Sequence, residues 1–240
     1  MSKLIMLGSD HRDPRLAERI IHGLCHFRPD LITVEYAGDD YVAHIKHVRP
    51  DFEALEVKAR SLLSKRDITL REGVVTQLLD LYGAEHKSVK AYAEENGIPI
   101  VHTDSSQILI SITNGILANL QGALEHSVEA ISLFLQRLNT PYDDRAYGIF
   151  EQHFENPTDA TFIALLAPQI RSIPLITPDR EQHQSSTIML ALAEHQPKKP
   201  LHVGGIVHLT NIPDFATLYS LIKDTAGQRY SLRSIDTLPH

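Results

Sequence analysis

The sequence contains a single cysteine, no surplus of positive charge and no long apolar run. Cys25 has no second cysteine with which to form an intramolecular disulfide, which agrees with a reducing compartment. The chain has 23 Lys and Arg against 30 Asp and Glu, a formal charge of -7. This balance argues against a broad nucleic-acid-binding or anionic-membrane-binding surface, and favours a peptide or small-molecule partner.

No apolar run approaches the roughly 20 residues that a membrane-spanning helix needs. The chain enters an apparent strand at Met1 to Leu7 without the basic start of a signal sequence. We therefore expect a cytoplasmic protein that does not associate with membranes.

Short apolar runs alternate with helical patterns along the chain. Four runs predict buried parallel strands and a fifth predicts an edge strand: Lys3–Leu7, Leu31–Val34, Ile98–Val101, Leu201–Val203 and Tyr230–Ile235. Asp13 and Pro14 are predicted as the cap and first position of a helix. Further helices are predicted at about 71–95, interrupted at Gly83, and at about 108–139, 143–154, 158–170 and 179–195. The prediction is an α/β fold with a central, mostly parallel or mixed sheet flanked by helices, a largely helical middle segment, and a single domain over residues 1–240.

The motif GxxH follows a predicted buried strand near each end of the chain. With 12 glycines and 14 histidines in 240 residues, about 0.7 matches are expected by chance, and the chain contains four. Two of them lie in or beside helical patterns and are set aside. In the other two, Gly8 and Gly205 allow a tight turn and close backbone approach to a ligand. Carboxyl ends of parallel strands converge on one crevice, so His11 and His208 could meet there, although two structural loop histidines remain the alternative.

Glu35 ends the apolar run LITV at the same predicted edge of the sheet. A carboxylate there is costly unless it is exposed in the crevice, paired, or bound to a cation. Two imidazoles and one carboxylate are a common ligand set for Zn, Mn, Fe or Co with positions left open for water. The alternative is a carboxylate that caps a helix or pairs with an arginine.

These motifs resemble the TraB, PrgY, GumN and TIKI superfamily over most of the chain. The matches are GSDH with His11, DLITVEY with Glu35, GAEHKSVKAYAEENGIPIVHTD with Glu85 and Asp104, PDREQHQSSTIM with Arg180, and HVGGIVHL with His208. The resemblance implies an α/β fold in which the two histidines and Glu35 share one site. By similarity to the TIKI proteins it implies metal-dependent peptide-bond hydrolysis. The superfamily is in turn similar to erythromycin-esterase-like and haem-binding ChaN-like proteins. The fold alone therefore does not fix the reaction.

The sequence departs from this family pattern at three points. Ser9 replaces a common threonine, and Ser105 stands where an arginine is expected beside Asp104. The TIKI proteins are membrane-anchored, whereas this sequence shows neither an anchor nor a signal sequence. Their substrate is therefore not carried over to this chain.

Four supporting residues are expected around the predicted site. Arg180 is expected to hold a carboxylate or to stabilise an oxyanion, with a surface ion pair as its alternative. Glu85 and Asp104 are expected to orient the imidazoles, with helix capping as the alternative. His102 shares a strand face with Asp104 and is a reserve ligand. The remaining histidines, His202 among them, are interpreted as solvent-facing or structural.

Three functions are compatible with these residues. The first is a hydrolase of a peptide or another amide or ester bond, with a divalent Mn, Co or Zn ion held by His11, Glu35 and His208. The second is a protein that binds a metal, haem or peptide without turnover. The third is a metal-free esterase with a histidine as general base.

Overall fold

A computed structural model describes most of the chain: residues 2–65, 67, 69, 72–73, 79, 84–126, 144–155, 177–212 and 216–239. The five strands are β1 (Leu4–Ser9), β2 (Leu31–Val34), β3 (Ile100–His102), β4 (Pro200–Gly205) and β5 (Ala226–Ser231). The helices before β4 are α1 (Leu16–Phe27), α2 (Asp39–Ser64), α3 (Ala84–Asn96), α4 (Ser106–His126), α5 (Arg145–Glu155) and α6 (Pro178–His195). A 3-10 turn (Ile206–Leu209), α7 (Leu218–Ile222) and α8 (Leu232–Ile235) follow β4.

The five strands form one parallel sheet in the order β3-β2-β4-β1-β5. Every residue of β2 and β4 is buried, as expected for interior strands of a parallel sheet that is covered on both faces. The edge strands β3 and β5 are more exposed. The predicted α/β fold is confirmed, and the sheet is parallel throughout the described strands.

The strand predictions agree with the structure more closely at the centre of the sheet than at its edges. The predicted and observed bounds of Leu31–Val34 are identical. The predicted edge strand is displaced, because β5 ends at Ser231 and Leu232–Ile235 is helical. The Ser231 hydroxyl accepts a hydrogen bond from the Ser234 backbone N–H, which stops the strand and caps the helix.

The helix predictions are partly wrong at their ends. The first helix begins at Leu16, because Asp13 forms a turn in which its carboxylate accepts from the Arg15 N–H. The sequence patterns do not predict the long helix α2, which contains Pro50. Predicted helical residues 158–170 lie outside the described residues, as do most of 71–83 and all of 127–139.

Two units are distinguished by their internal contacts. The first comprises residues 1–37, 83–105 and 143–240, and contains the whole sheet. The second comprises residues 38–82 and 106–142, in which α2 and α4 share an apolar cluster that includes Phe52, Leu63 and Leu120. Whether these units form the single predicted domain stays a prediction. Among the described residues, no helix has the length and apolarity required to cross a membrane.

The carboxyl ends of β1, β2 and β4 lie side by side in the first unit. Ser9 pairs with Gly205, and Val34 pairs with Val203. The residues that follow these strands therefore emerge at one edge of the sheet, where ligands of parallel α/β folds commonly bind.

Candidate functional site

Three predicted site residues converge on the bare Cα of Gly205. A Cβ placed on this glycine would lie 3.4 Å from Nε2 of His11, 3.4 Å from Oε2 of Glu35 and 3.3 Å from Cδ2 of His208. The structure thus brings together side chains that are separated by up to 197 residues of sequence. Gly8 also meets a close approach, because a Cβ there would lie 2.9 Å from Cγ1 of Ile206, in the turn that carries His208.

The His11 ring is anchored by a buried carboxylate from α3. Its Nδ1 lies 2.5 Å from Oε1 of Glu85, and the Ser9 hydroxyl donates to the same oxygen at 2.6 Å. Burial alone would lower the pKa of His11, but the charge and hydrogen bond of Glu85 outweigh it and raise this pKa to about 9. The expected role of Glu85 in orienting an imidazole agrees with this geometry.

The turn that carries His11 is tied to a buried ion cluster. The Asp10 backbone N–H donates to the hydroxyl of Tyr147 at 2.9 Å, and this hydroxyl donates to Asp13 at 3.1 Å. Asp13 also accepts from Arg19 at 2.6 Å, with both side chains buried. These contacts hold the chain immediately before and after His11.

The His208 ring has a matching anchor from α6. Its Nδ1 lies 2.5 Å from Oε1 of Glu181, whose other oxygen accepts from the Leu218 backbone N–H. Its Nε2 lies 3.5 Å from Oε1 of Glu35. Burial would lower the pKa of His208, but the nearby Glu181 and Glu35 charges raise it to about 10.

Both oxygens of Glu35 accept hydrogen bonds from polar groups. Its Oε2 accepts from the Gly205 backbone N–H at 2.6 Å, and its Oε1 accepts from Nη2 of Arg180. Burial would raise the pKa of Glu35, but His208 and Arg180 hold it well below its usual range. The carboxylate is therefore ionised, and these contacts fix it beside His208.

Arg180 is buried and bound by carboxylates on two sides. Its Nε and Nη2 donate to the two oxygens of Asp104 at 2.8 and 2.7 Å, and Nη2 also donates to Glu35. Gln184, one helical turn later, donates to Asp104 at 2.9 Å. Of the two roles expected for Arg180, this arrangement supports holding a carboxylate. Asp104 anchors Arg180, whose Nη1 lies 3.5 Å from Nε2 of His208.

Sequence reasoning missed Glu181, Gln184 and the position of His202. The first two lie in the segment that was matched for Arg180, where a helix start with a buried polar face was the available signal. His202, interpreted from the sequence as solvent-facing or structural, is fully buried. Its alternation with Gly204 along a buried strand was the signal. Burial lowers the pKa of His202 to about 4, so the ring is neutral.

The reserve ligand His102 belongs to a separate aromatic group. Its ring centroid lies 5.0 Å from that of Tyr36 and 4.8 Å from that of His86, in edge-on contacts. The Tyr36 and His86 rings are stacked at 3.8 Å. The role of His102 as a reserve ligand stays a prediction.

The carboxylates give the cluster a net negative charge that two added positive charges reduce but do not cancel. Its carboxylates are those of Glu35, Glu85, Asp104 and Glu181. With Arg180 they sum to -3, since four negative charges meet one positive charge. Two protonated imidazoles bring the sum to -1, and so does one divalent cation with two neutral imidazoles. The negative charge of these carboxylates raises the pKa values of His11 and His208.

The donor types suit a divalent cation, although the arrangement is incomplete. Metal-bound histidines commonly have the second ring nitrogen on a carboxylate, as both imidazoles do here. The 3.5 Å between Nε2 of His208 and Oε1 of Glu35 is close to the roughly 3.4 Å expected for two ligands on one tetrahedral zinc. Within the described part of the chain, however, no group of three His, Cys, Asp or Glu is arranged to hold a metal ion.

Comparison with known proteins adds no relative to this picture. No protein-family model, curated protein or solved structure matches the chain. Function is therefore inferred from the residues and their geometry.

Proposed function

We propose that this cluster hydrolyses an amide or ester bond of a peptide or small molecule, with a divalent cation held by His11, Glu35 and His208. The observation that carries the proposal is the convergence of these three side chains on Gly205. Their order along the chain and the flanking motifs also resemble the TraB and TIKI proteins. That resemblance favours hydrolysis of a peptide bond.

The buried glutamates set the chemistry of the two rings. Glu85 and Glu181 accept at Nδ1, so a neutral imidazole carries its proton there and Nε2 is the ring nitrogen that can bind a cation. Glu35 offers a carboxylate between them, and Arg180 fixes its orientation. A cation bound by these donors would lower the pKa of a bound water to about 7.

His11 is the group in the triad that is accessible to a substrate. About a quarter of its side chain, 27%, is exposed, against 3% for His208 and 4% for Glu35. Substrate is therefore expected to approach from the His11 side. The carboxylates surrounding the site disfavour an anionic group at the scissile bond.

A second candidate is metal-free hydrolysis with the His11–Glu85 pair as general base. The observation in its favour is that His11 is partly exposed, paired with a buried carboxylate and, within the described residues, not part of a ready group of metal ligands. Its pKa of about 9 means that such activity should rise as the pH increases toward 9.

The test is hydrolysis of fluorogenic peptides and nitrophenyl esters by protein stripped with chelator and then resupplied with Mn²⁺, Co²⁺ or Zn²⁺. Activity that chelator abolishes and one ion restores supports the proposal. Chelator-resistant activity that rises toward pH 9 supports the metal-free candidate. A Soret band on haem addition, without hydrolysis of any substrate, would instead identify a binding protein.

Alanine variants provide the matched control. His11→Ala and His208→Ala should each remove most of the activity, and the double variant should be scarcely worse, because groups in one assembly act non-additively. His183→Ala, on an exposed position of α6, should retain wild-type activity. Near-normal turnover in either folded site variant contradicts the proposal.

A further inference from the structure

A third imidazole lies beneath the site, on the strand that leads into it. His202 is fully buried on β4, and its Nδ1 lies 3.0 Å from Oγ1 of Thr33, the residue paired with it on β2. Its Nε2 is also buried and has no hydrogen-bond partner. A buried polar atom without a partner costs free energy, so we expect this nitrogen to have a hydrogen-bond partner in the functional protein.

Glu35 is a polar group that lies near this nitrogen. A Cβ on Gly204 would lie 2.7 Å from Nε2 of His202 and 3.0 Å from Oε2 of Glu35. These two distances limit the separation of the nitrogen and the oxygen to at most 5.7 Å. A direct hydrogen bond after a small shift, or one bridging water, covers such a span. Because Gly204 has no side chain, both polar atoms can approach the same point on its backbone.

We propose that His202 is a positioning residue for Glu35, donating from Nε2–H to Oε2 across Gly204, directly or through one water. In this tautomer Nδ1 has a lone pair, which can accept from the Thr33 hydroxyl 3.0 Å away. The contact leaves Oε1 of Glu35, on the side of His208 and Arg180, for the ligand. This inference goes beyond the proposed function, because the contact is expected whether the cleft hydrolyses a bond or only binds a ligand.

Side-chain NMR of the ¹⁵N-histidine-labelled protein tests the contact without any activity. We expect His202 in the Nε2–H form, with a slowly exchanging proton whose chemical shift changes in Glu35→Gln. Glu85→Gln is the control, since that carboxylate contacts His11, and it should leave the His202 signal in place. A ring protonated at Nδ1, or a His202 signal that is unaffected by Glu35→Gln, overturns the proposal.

A pair of substitutions separates positioning from packing. Gln at position 202 retains an N–H near Nε2, whereas Asn retains a polar group near Nδ1 and loses the one that faces Glu35. Calorimetric titration with Co²⁺ should show at least tenfold weaker binding for His202→Asn than for His202→Gln, at similar melting temperatures. Equal affinities in two folded variants overturn the positioning role. If the wild type binds no Co²⁺, the proposed cation function fails, and the NMR result still decides this inference.

Discussion

Nδ1 of His208 and Oε1 of Glu181 lie 2.5 Å apart, and both side chains are buried. This carboxylate is a main cause of the raised pKa of His208, about 10. In Glu181→Gln we expect that pKa to fall, because burial is then opposed by the Glu35 charge alone. Divalent-cation affinity should fall by about 10–100-fold.

Proton NMR titration of His208 measures the effect of this substitution. Glu194→Gln, an exposed position near the end of the same helix, is the control and should leave the His208 pKa unchanged. A His208 pKa that stays near 10 in Glu181→Gln would show that Glu35 alone raises it.

Arg180 is expected to be required for stability as well as for the site. Replacing it with Met leaves Glu35 and Asp104 buried without their cation, and should destabilise the fold by about 3–5 kcal/mol. Adding Glu35→Gln and Asp104→Asn removes the uncompensated charges, so this triple variant should recover part of the loss. Urea unfolding compares these variants with Lys90→Met, an exposed position that should change stability by less than about 0.5 kcal/mol. A triple variant no more stable than the single one would contradict the proposed charge effect.

Gly205→Ala is expected to impair the site more than the fold. The added methyl group meets three functional side chains at 3.3–3.4 Å, so these side chains must shift by a few tenths of an ångström. We expect cation affinity to fall by at least tenfold while the protein remains folded. Gly122→Ala, where the added Cβ meets nothing within 4 Å, should instead stabilise helix α4 by roughly 0.5–1 kcal/mol. Unchanged cation affinity in Gly205→Ala would contradict a cation site formed by these three side chains beside Gly205.

The metal-free protein should be most stable near neutral pH. His11 and His208 have folded pKa values of about 9 and 10, above 6.5, so their stabilisation is complete below pH 6.5 and is lost as pH rises through 9 and 10. The lowered pKa values of Glu35 and His202 act in the opposite direction and remove stability as the solution is acidified. Urea midpoints between pH 4 and pH 9.5 measure both limbs. In the double variant His11→Gln/His208→Gln, the loss of stability with rising pH should be smaller than in the wild type. An equally steep loss would show that other groups cause it.

The fold could be predicted where the sequence is locally unambiguous. The run LITV is apolar at nearly every position, and it forms a strand with both faces buried. Helix α2 could not be predicted from the same signal, because its sequence is rich in charge and carries Pro50. Strand β5 is displaced from its predicted position because alternation continues into residues that a serine cap turns into helix.

The site could be predicted in its centre and not in its supports. His11, Glu35 and His208 follow strands at positions that topology brings together. The sequence signals for Glu181 and His202 place them on a helix start and a buried strand, but they do not identify the partners, which come from elements distant in sequence. The pairing of Asp104 with Arg180, rather than with an imidazole, has the same origin.

Whether the cluster exchanges protons for a cation can be measured by calorimetric titration of the chelator-stripped protein with Zn²⁺ or Co²⁺ at pH 7, in buffers of different ionisation enthalpy. If the site exchanges two protons for one cation, one ion should bind per chain with release of about two protons. His11→Ala and His208→Ala should each weaken binding strongly, and His183→Ala should not. Absence of binding, or binding that releases no protons and is unaffected by either site substitution, would contradict a cation site shared by the two histidines.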